Sequence, residues 1–277
     1  MIVITGANGL LGREVSGYLK NRNHDVVEIS RQNFDLTKKN LLNLNIKPKT
    51  IIHLAAAVPT SINYEDSIDS ANLTNKIDEN VINAAKKWES KLIYASSCAV
   101  YKKDSEIKHE YSELDLDSSS PYIKAKINGE KNVLKVSNSI ICRLPALIGT
   151  NMQSKSILLK FIYSSLNNES IKLWGDGSRE QNFIDVVDVS KAFNLMLENN
   201  ADEKILNIAN FKTISMKKLA ETIIKITNKG DIKYEEIEDP NETLSVRYKV
   251  DLAKKILNWE ASTPISESIK GIIRQCR

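Results

Sequence analysis

Two side chains four residues apart suggest proton chemistry. Tyr122 and Lys126 stand in the run Pro121-Tyr122-Ile123-Lys124-Ala125-Lys126. On a helix, positions i and i+4 share a face. An ammonium beside a phenol favours the phenolate and lowers the tyrosine pKa. The phenol can then exchange a proton with a hydroxyl or carbonyl oxygen near neutral pH. Pro121 suits the first position of that helix. The spacing alone is common by chance, and Lys124 faces another direction, into solvent. A second group lies upstream, in Ala95-Ser96-Ser97-Cys98-Ala99-Val100-Tyr101. Small hydroxyl residues that leave a parallel strand at its carboxyl end point into a ligand crevice. Ser97 is read as the donor that holds a substrate oxygen against the tyrosine; the plainer role is a turn residue.

A third group sits at the N-terminus, where Gly6-Ala7-Asn8-Gly9-Leu10-Leu11-Gly12 follows the run Ile2-Val3-Ile4-Thr5. Glycines between a strand and a helix permit a tight turn and let the backbone approach a pyrophosphate. The helix N-terminus adds unpaired N–H groups and the positive dipole end. The spacing is GxxGxxG rather than GxGxxG, and its position between strand and helix is what makes it informative. A ligand-free strand–turn–helix is the alternative. An acid at the end of the second strand would hydrogen-bond the ribose 2′-hydroxyl of NAD. The chain reads Ile29-Ser30-Arg31 there, and Glu28 falls before the strand's end. Ser30 and Arg31 suit a 2′-phosphate, since a guanidinium binds phosphate oxygens in a bidentate way. NADP(H) is therefore preferred, with NAD(H) possible; a solvated Arg31 is the plainer alternative.

The elements that must position these groups alternate in type. Short β-branched runs fall at Ile2–Thr5, Asp25–Ile29, Thr50–Leu54, Lys91–Ala95 and Ser139–Arg143, with helical patterns near 10–22, 66–88 and 122–137. Strand and helix in alternation predict an α/β fold with a parallel sheet covered on both faces. Residues 1–150 are expected to form a Rossmann dinucleotide-binding domain. Residues 151–277 are expected to form a smaller mixed α/β substrate-binding lobe, with some chain crossing back. There the helices are placed near 154–166, 187–198, 215–228 and 265–275, with strands near 171–173 and 205–208.

Composition excludes several classes. The chain has 277 residues, 42% hydrophobic and 27% charged, with a net charge of +4. That is ordinary for a folded globular protein and unlike a disordered or disulfide-built one. No run of five or more Lys or Arg occurs, so no nucleic-acid footprint is expected. No stretch approaches 18 apolar residues, so no membrane span is expected. Cys98, Cys142 and Cys276 form an odd, widely spaced set that fits a reducing compartment, and the chain is read as cytoplasmic. No His, Asp or Glu cluster has metal-ligand spacing. His53 is read as a satisfied strand-end residue, and Trp88, Trp174 and Trp259 as packing residues.

Taken in order, these motifs make the chain resemble an extended short-chain dehydrogenase/reductase of the NAD-dependent epimerase/dehydratase family. The glycine loop, the Ser-Ser-x-x-Val-Tyr stretch and Tyr-x-x-x-Lys arrive in family order, with Ser97 placed 25 residues before Tyr122. His53-Leu54-Ala55-Ala56-Ala57, Arg143 to Gly149, and Gly175 to Val189 resemble further family segments. The resemblance implies that Gly6, Asn8, Gly9, Leu10, Leu11 and Gly12 form the phosphate loop. It further implies that Ser30, Arg31, Asp35, Leu36, Leu54, Ala55, Ala56 and Pro145 line the cofactor, and that Tyr122 is the acid/base. Lys126 holds the nicotinamide ribose and tunes Tyr122. Ser97, with Arg179 and Gln181, contacts a nucleotide-diphosphate sugar that reacts at C4. Cys98-Ala99 stand where dehydratases of the family usually carry an Asp-Glu pair, which disfavours 4,6-dehydration. Gln181 stands where many members have Arg, and Ala146 where Asn is frequent. The length and Phe34-Asp35-Leu36-Thr37 are similar to dTDP-4-dehydrorhamnose reductase-like members. Reduction of a 4-keto sugar is thus ranked above 4-epimerisation with tightly held NAD, and above a non-catalytic NADP-binding sensor. A homodimer through the helices near 66–88 and 122–137 is also implied.

Overall fold

The computed structural model describes residues 1–57, 64–153, 156–199, 203–239, 244 and 246–276, with backbone alone at 64–66. The first half runs β1 (Ile2–Thr5), α1 (Leu10–Lys20), β2 (Val26–Ile29), β3 (Thr50–His53), α2 (Tyr64–Trp88), β4 (Lys91–Ser97), α3 (Pro121–Val133) and β5 (Ser139–Leu144). Then come β6 (Ala146–Ile148), α4 (Ile157–Leu166), β7 (Ile171–Trp174), β8 (Glu180–Gln181), β9 (Phe183–Asp185), α5 (Val186–Glu198) and β10 (Ile205–Asn207). The chain ends with β11 (Ile214–Ser215), α6 (Met216–Thr227), β12 (Ile232–Glu235), α7 (Asp251–Leu257) and α8 (Ile265–Cys276).

Six strands form one parallel sheet in the order β2-β1-β3-β4-β5-β10. This is the doubly wound Rossmann arrangement. The strand order reverses at β1 and β3, and the crevice outside their carboxyl ends is where such sheets bind ligands. Alternation along each strand divides the core in two. Ile2, Ile4, Ile52, Ile93, Ile140 and Cys142 face one layer with α1 and α5. Val3, Ile51, Leu92, Tyr94 and Ile141 face the other, with Ile77, Val81 and Trp88 of α2 and Val133 of α3. Both faces are buried, which is why these strands read as nearly unbroken apolar runs.

The 151–277 segment divides its residues between two cores. β10 pairs with β5 in the main sheet, and α5 and Trp259 join the α1 layer. A separate core forms from α4, α6, α8 and β7, among them Leu158, Phe161, Leu173, Leu219 and Ile272. The short strands β6, β8, β9, β11 and β12 and the helix α7 carry no expectation from the sequence. Most of these strands have two or three residues, too few to display a period. One packing expectation is corrected. Trp88 and Trp259 are buried, but Trp174 is 49% exposed, because it takes an outward position on the alternating strand β7.

Candidate active site

The first cavity lies over the sheet's switch point, with a volume of about 340 Å³. Gly6, Asn8 and Gly9 line it from the turn after β1. Ser30, Arg31, Asp35 and Leu36 line it from the β2 side, and Leu54, Ala55 and Ala56 from the end of β3. Helix α1 begins at Leu10 with Gly9 as its N-cap and no side-chain cap. First-turn N–H groups have no partner inside the helix, so this end is open to an anion. Leu11 and Gly12 are buried, so their contribution to such a ligand is backbone rather than side chain.

Each glycine answers to a different neighbour. Gly6 adopts φ +71°, and a Cβ there would lie 2.8 Å from the Ala55 nitrogen. A Cβ on Gly12 would overlap the Gly6 carbonyl and lie 2.8 Å from Ala7 Cα. These two glycines let β1, β3 and α1 close together. Gly9 meets only the Gly6 oxygen, at 3.2 Å, and is exposed to the cavity. Tight glycines beneath and an open one above make a cradle that fits a pyrophosphate. At the rim, Asn33 accepts from Ser30 N at 2.7 Å. Asp35 accepts from Thr37 N at 3.0 Å and Thr37 Oγ1 at 2.7 Å. Those bonds, with Lys38 and Arg31 nearby, hold its carboxyl below the usual aspartate range. Glu28 is engaged elsewhere, with Ser16 and with Lys20 at 2.7 Å. Among the described residues, Asp35 is thus the carboxylate that lines the cavity on the β2 side.

Ser97 ends β4 and caps a 3-10 turn at Cys98–Val100, accepting from Ala99 N at 3.1 Å. It is a turn residue and also lines the second cavity. Cys98 behind it is buried, and burial pushes its thiol well up. Helix α3 starts with Pro121 in its first turn and Ser120 as N-cap. Tyr122 is half-buried against Val100, Ile123 and Ile127, near Leu114. Lys126 is buried one turn on. Its ammonium donates to Ala95 O at 2.9 Å and to the Tyr94 hydroxyl at 3.5 Å. Its hydrogen bonds thus go to β4 rather than to Tyr122.

The second cavity, of about 400 Å³, runs from Ser97 to the C-terminal segments. Pro145 lines this cavity rather than the first, and Arg179 and Gln181 line it as well. Lys102, Lys103 and Lys108 add cationic character that the motif reading missed. Arg179 Nε sits 2.6 Å from Asp239 Oδ2, and Lys102 pairs with Glu113 at 3.1 Å. Glu180 is the one carboxylate among the described lining residues, and Arg247 holds it at 2.9 and 3.1 Å. Tyr248 closes the cavity from a segment over 140 residues downstream of Ser97, a separation that leaves no local signal. Among the described residues no group of His, Cys, Asp or Glu is placed to hold a metal, and no helix is long and apolar enough to cross a membrane.

A doubly wound sheet with a glycine cradle at its switch point defines a dinucleotide-binding fold. The NAD dependent epimerase/dehydratase family model matches residues 2–209, and the chain belongs to that family. A Methanocaldococcus jannaschii protein provisionally named a UDP-glucose 4-epimerase is 26% identical over 303 aligned positions, covering 99% of this chain and 97% of that protein. The Escherichia coli dTDP-4-dehydro-6-deoxyglucose reductase is 27% identical over 250 positions, covering 83% of this chain and 75% of that enzyme. Among solved structures, MoeE5 in complex with UDP-glucose and NAD superimposes with a TM-score of 0.85 at 22% identity, over 100% of this chain and 98% of that one.

Proposed function

We propose that this chain is an NAD(P)-dependent enzyme that acts on C4 of a nucleotide-diphosphate sugar, with Tyr122 as the proton-transfer residue. The observation that carries this is the pairing of two cavities at the strand carboxyl ends. One is cradled by glycines, and the other is cationic with Ser97 in its wall. When bound, the dinucleotide supplies or receives the hydride. Ser97 accepts a bond from Ala99 N and keeps its own proton for the sugar oxygen. Tyr122 gives or takes the proton at that oxygen, and Lys126 holds the ribose. Lys102, Lys103 and Arg179 suit the diphosphate, while Lys108 is buried and paired with Asp104. The lining carboxylate Glu180 is committed to Arg247, so the acid/base pair for 4,6-dehydration is not supplied by the described lining residues.

Reduction of a 4-keto sugar is supported by Arg31 at the cofactor rim, since a guanidinium there suits the 2′-phosphate that distinguishes NADPH. A second reading, 4-epimerisation, is supported by the name of the Methanocaldococcus jannaschii relative and by the NAD in MoeE5. A homodimer through α2 and α3 is proposed with either reading. The deciding assay offers UDP-, GDP-, CDP- and dTDP-linked sugars and their 4-keto forms with NADPH or NADH. A reductase consumes reduced cofactor stoichiometrically, seen as falling 340 nm absorbance. An epimerase interconverts sugars with no net absorbance change. Tyr122→Phe should lower either turnover by about 10²-fold or more, while NADH titration stays within twofold. An undiminished rate removes Tyr122 from the mechanism. Arg31→Ala should weaken NADPH by about tenfold, the worth of one charge-assisted contact, and spare NADH.

A further inference from the structure

Behind the proposed site, a line of buried polar groups crosses the sheet from β1 to α3. Thr5 Oγ1 accepts from Leu54 N and Ala55 N, each at 3.3 Å. Leu54 N shares its bond with the Thr5 carbonyl at 3.2 Å, and with two N–H groups facing it the Thr5 hydroxyl turns its own proton to His53 Nδ1 at 2.7 Å. The His53 ring proton therefore sits on Nε2, which donates to Asp78 Oδ1 at 3.0 Å. The Tyr94 hydroxyl donates to Asp78 Oδ2 at 2.7 Å. Burial and the Asp78 charge push the Tyr94 phenol well above the ordinary tyrosine range, so it keeps that proton. The Tyr94 oxygen is left as an acceptor, and Lys126 Nζ lies 3.5 Å from it. All five side chains are buried. The direction of every bond is set from the Thr5 end.

Helix α3 is shaped to admit this line. A Cβ on Gly129 would overlap both the Tyr94 hydroxyl and Asp78 Oδ2. A mid-helix glycine costs about 1 kcal/mol relative to alanine, and here it gives the two groups room to meet. Other charged and titratable groups near Lys126 are Tyr122 and Glu130 on α3. Glu130 is neutralised by Arg143 of β5 through bonds of 3.0 and 2.7 Å. Asp78, on α2, is left as the anion that balances the ammonium through the Tyr94 hydroxyl.

We propose that Asp78 and Tyr94 are positioning residues for Lys126. They hold its ammonium against the end of β4, with two of its three N–H groups engaged and the third kept for the dinucleotide. This rests on the reading of Lys126 as a dinucleotide ligand. Asp78→Asn offers one acceptor where His53 and Tyr94 present two donors. His53 is locked by Thr5, so Tyr94 must reverse and turn its proton toward the ammonium. Tyr94→Phe removes the acceptor without reversing anything.

The test is NADH and NADPH titration of the full chain by fluorescence, in a double-mutant cycle with Lys126→Met. Asp78→Asn is expected to weaken dinucleotide binding about tenfold and Tyr94→Phe about threefold, the range of one ordinary hydrogen bond. In the Lys126→Met background both are expected to lose their effect. Equal weakening in both backgrounds would show a general structural role and overturn the proposal. Unchanged binding in Lys126→Met alone would overturn the reading of Lys126, and the proposal with it. Thermal melts accompany each variant. Should Asp78→Asn not fold, the Tyr94→Phe cycle decides, since the phenylalanine ring keeps the packing.

Discussion

The two cavities of this molecule are built in different ways. The dinucleotide cavity takes its lining from residues 6–77, and most of it from the turns that follow β1, β2 and β3. The second cavity collects Ser97 to Lys108, Leu144 to Ala146, Arg179 to Gln181 and Leu244 to Tyr248. The first is a property of the contiguous β1 to α2 stretch, whose chain geometry already brings the parts together. The second exists only once β8, the β4–α3 connection and the segment after β12 have folded against one another. Its support is correspondingly long-range. Arg143 is buried with Glu130 and reaches Glu110 O at 2.8 Å, while Tyr101 donates to Asn207 at 2.6 Å. A local pocket should fail by local strain, and an assembled one by loss of the contacts beneath it.

The largest effect is expected beneath the second cavity. Glu130→Ala strands the Arg143 guanidinium in the interior and should cost about 3–5 kcal/mol, read from denaturant unfolding. A loss under about 1 kcal/mol would mean that the pair does not anchor this region. Gly12→Ala attacks the first cavity by forcing a methyl group into the Gly6 carbonyl. It should cost about 3 kcal/mol by overpacking and abolish NADH binding. Nucleotide-sugar binding should survive wherever the fold does.

Asp188 tests the tie between α5 and the chain after Trp259. It accepts from Lys191 Nζ at 2.9 Å, Ser262 N at 3.0 Å and Thr263 N at 2.7 Å. Burial pushes this carboxyl up, but the bonds from Lys191 and Thr263 outweigh burial and leave it lowered. Asp188→Asn should cost about 2 kcal/mol at neutral pH. A lowered carboxyl stabilises the fold above its ordinary value of 3.8 and loses that contribution as pH falls through the folded-state value. The melting-temperature gap between wild type and variant should therefore close in acid; a gap constant from pH 7 to pH 2 would contradict it. The smallest effect sharpens the comparison most. Arg179→Ala should weaken nucleotide-sugar binding about tenfold, roughly 1.4 kcal/mol, and leave NADH titration unchanged.

Legibility followed the same division. Gly6, Gly9, Ser30, Arg31, Asp35 and Leu54 to Ala56 were readable because each follows a strand within a few residues, and all line one cavity. Pro145 follows β5 in the same manner, yet the tertiary fold turns it to the other cavity. Lys102, Lys103, Lys108 and Tyr248 carried no readable pattern, since nothing in their spacing distinguishes them from surface or core residues. Tyr94 and Asp78 look like a strand aromatic and a helix acid. Only the packing of α2 and α3 side by side on one face of β4 makes them one hydrogen-bonded pair.

The amino-acid order alone determined the alternation of strand and helix, the two faces of each strand and the glycine turn at residue 6. These depend on backbone sterics and on periods of two and 3.6 residues, which act over a few positions. Tertiary structure decided which cations share a cavity, that β10 returns to the main sheet and that the Lys126 ammonium rests on Tyr94. Such contacts join residues tens of positions apart, and their geometry is set by how layers pack rather than by any local repeat.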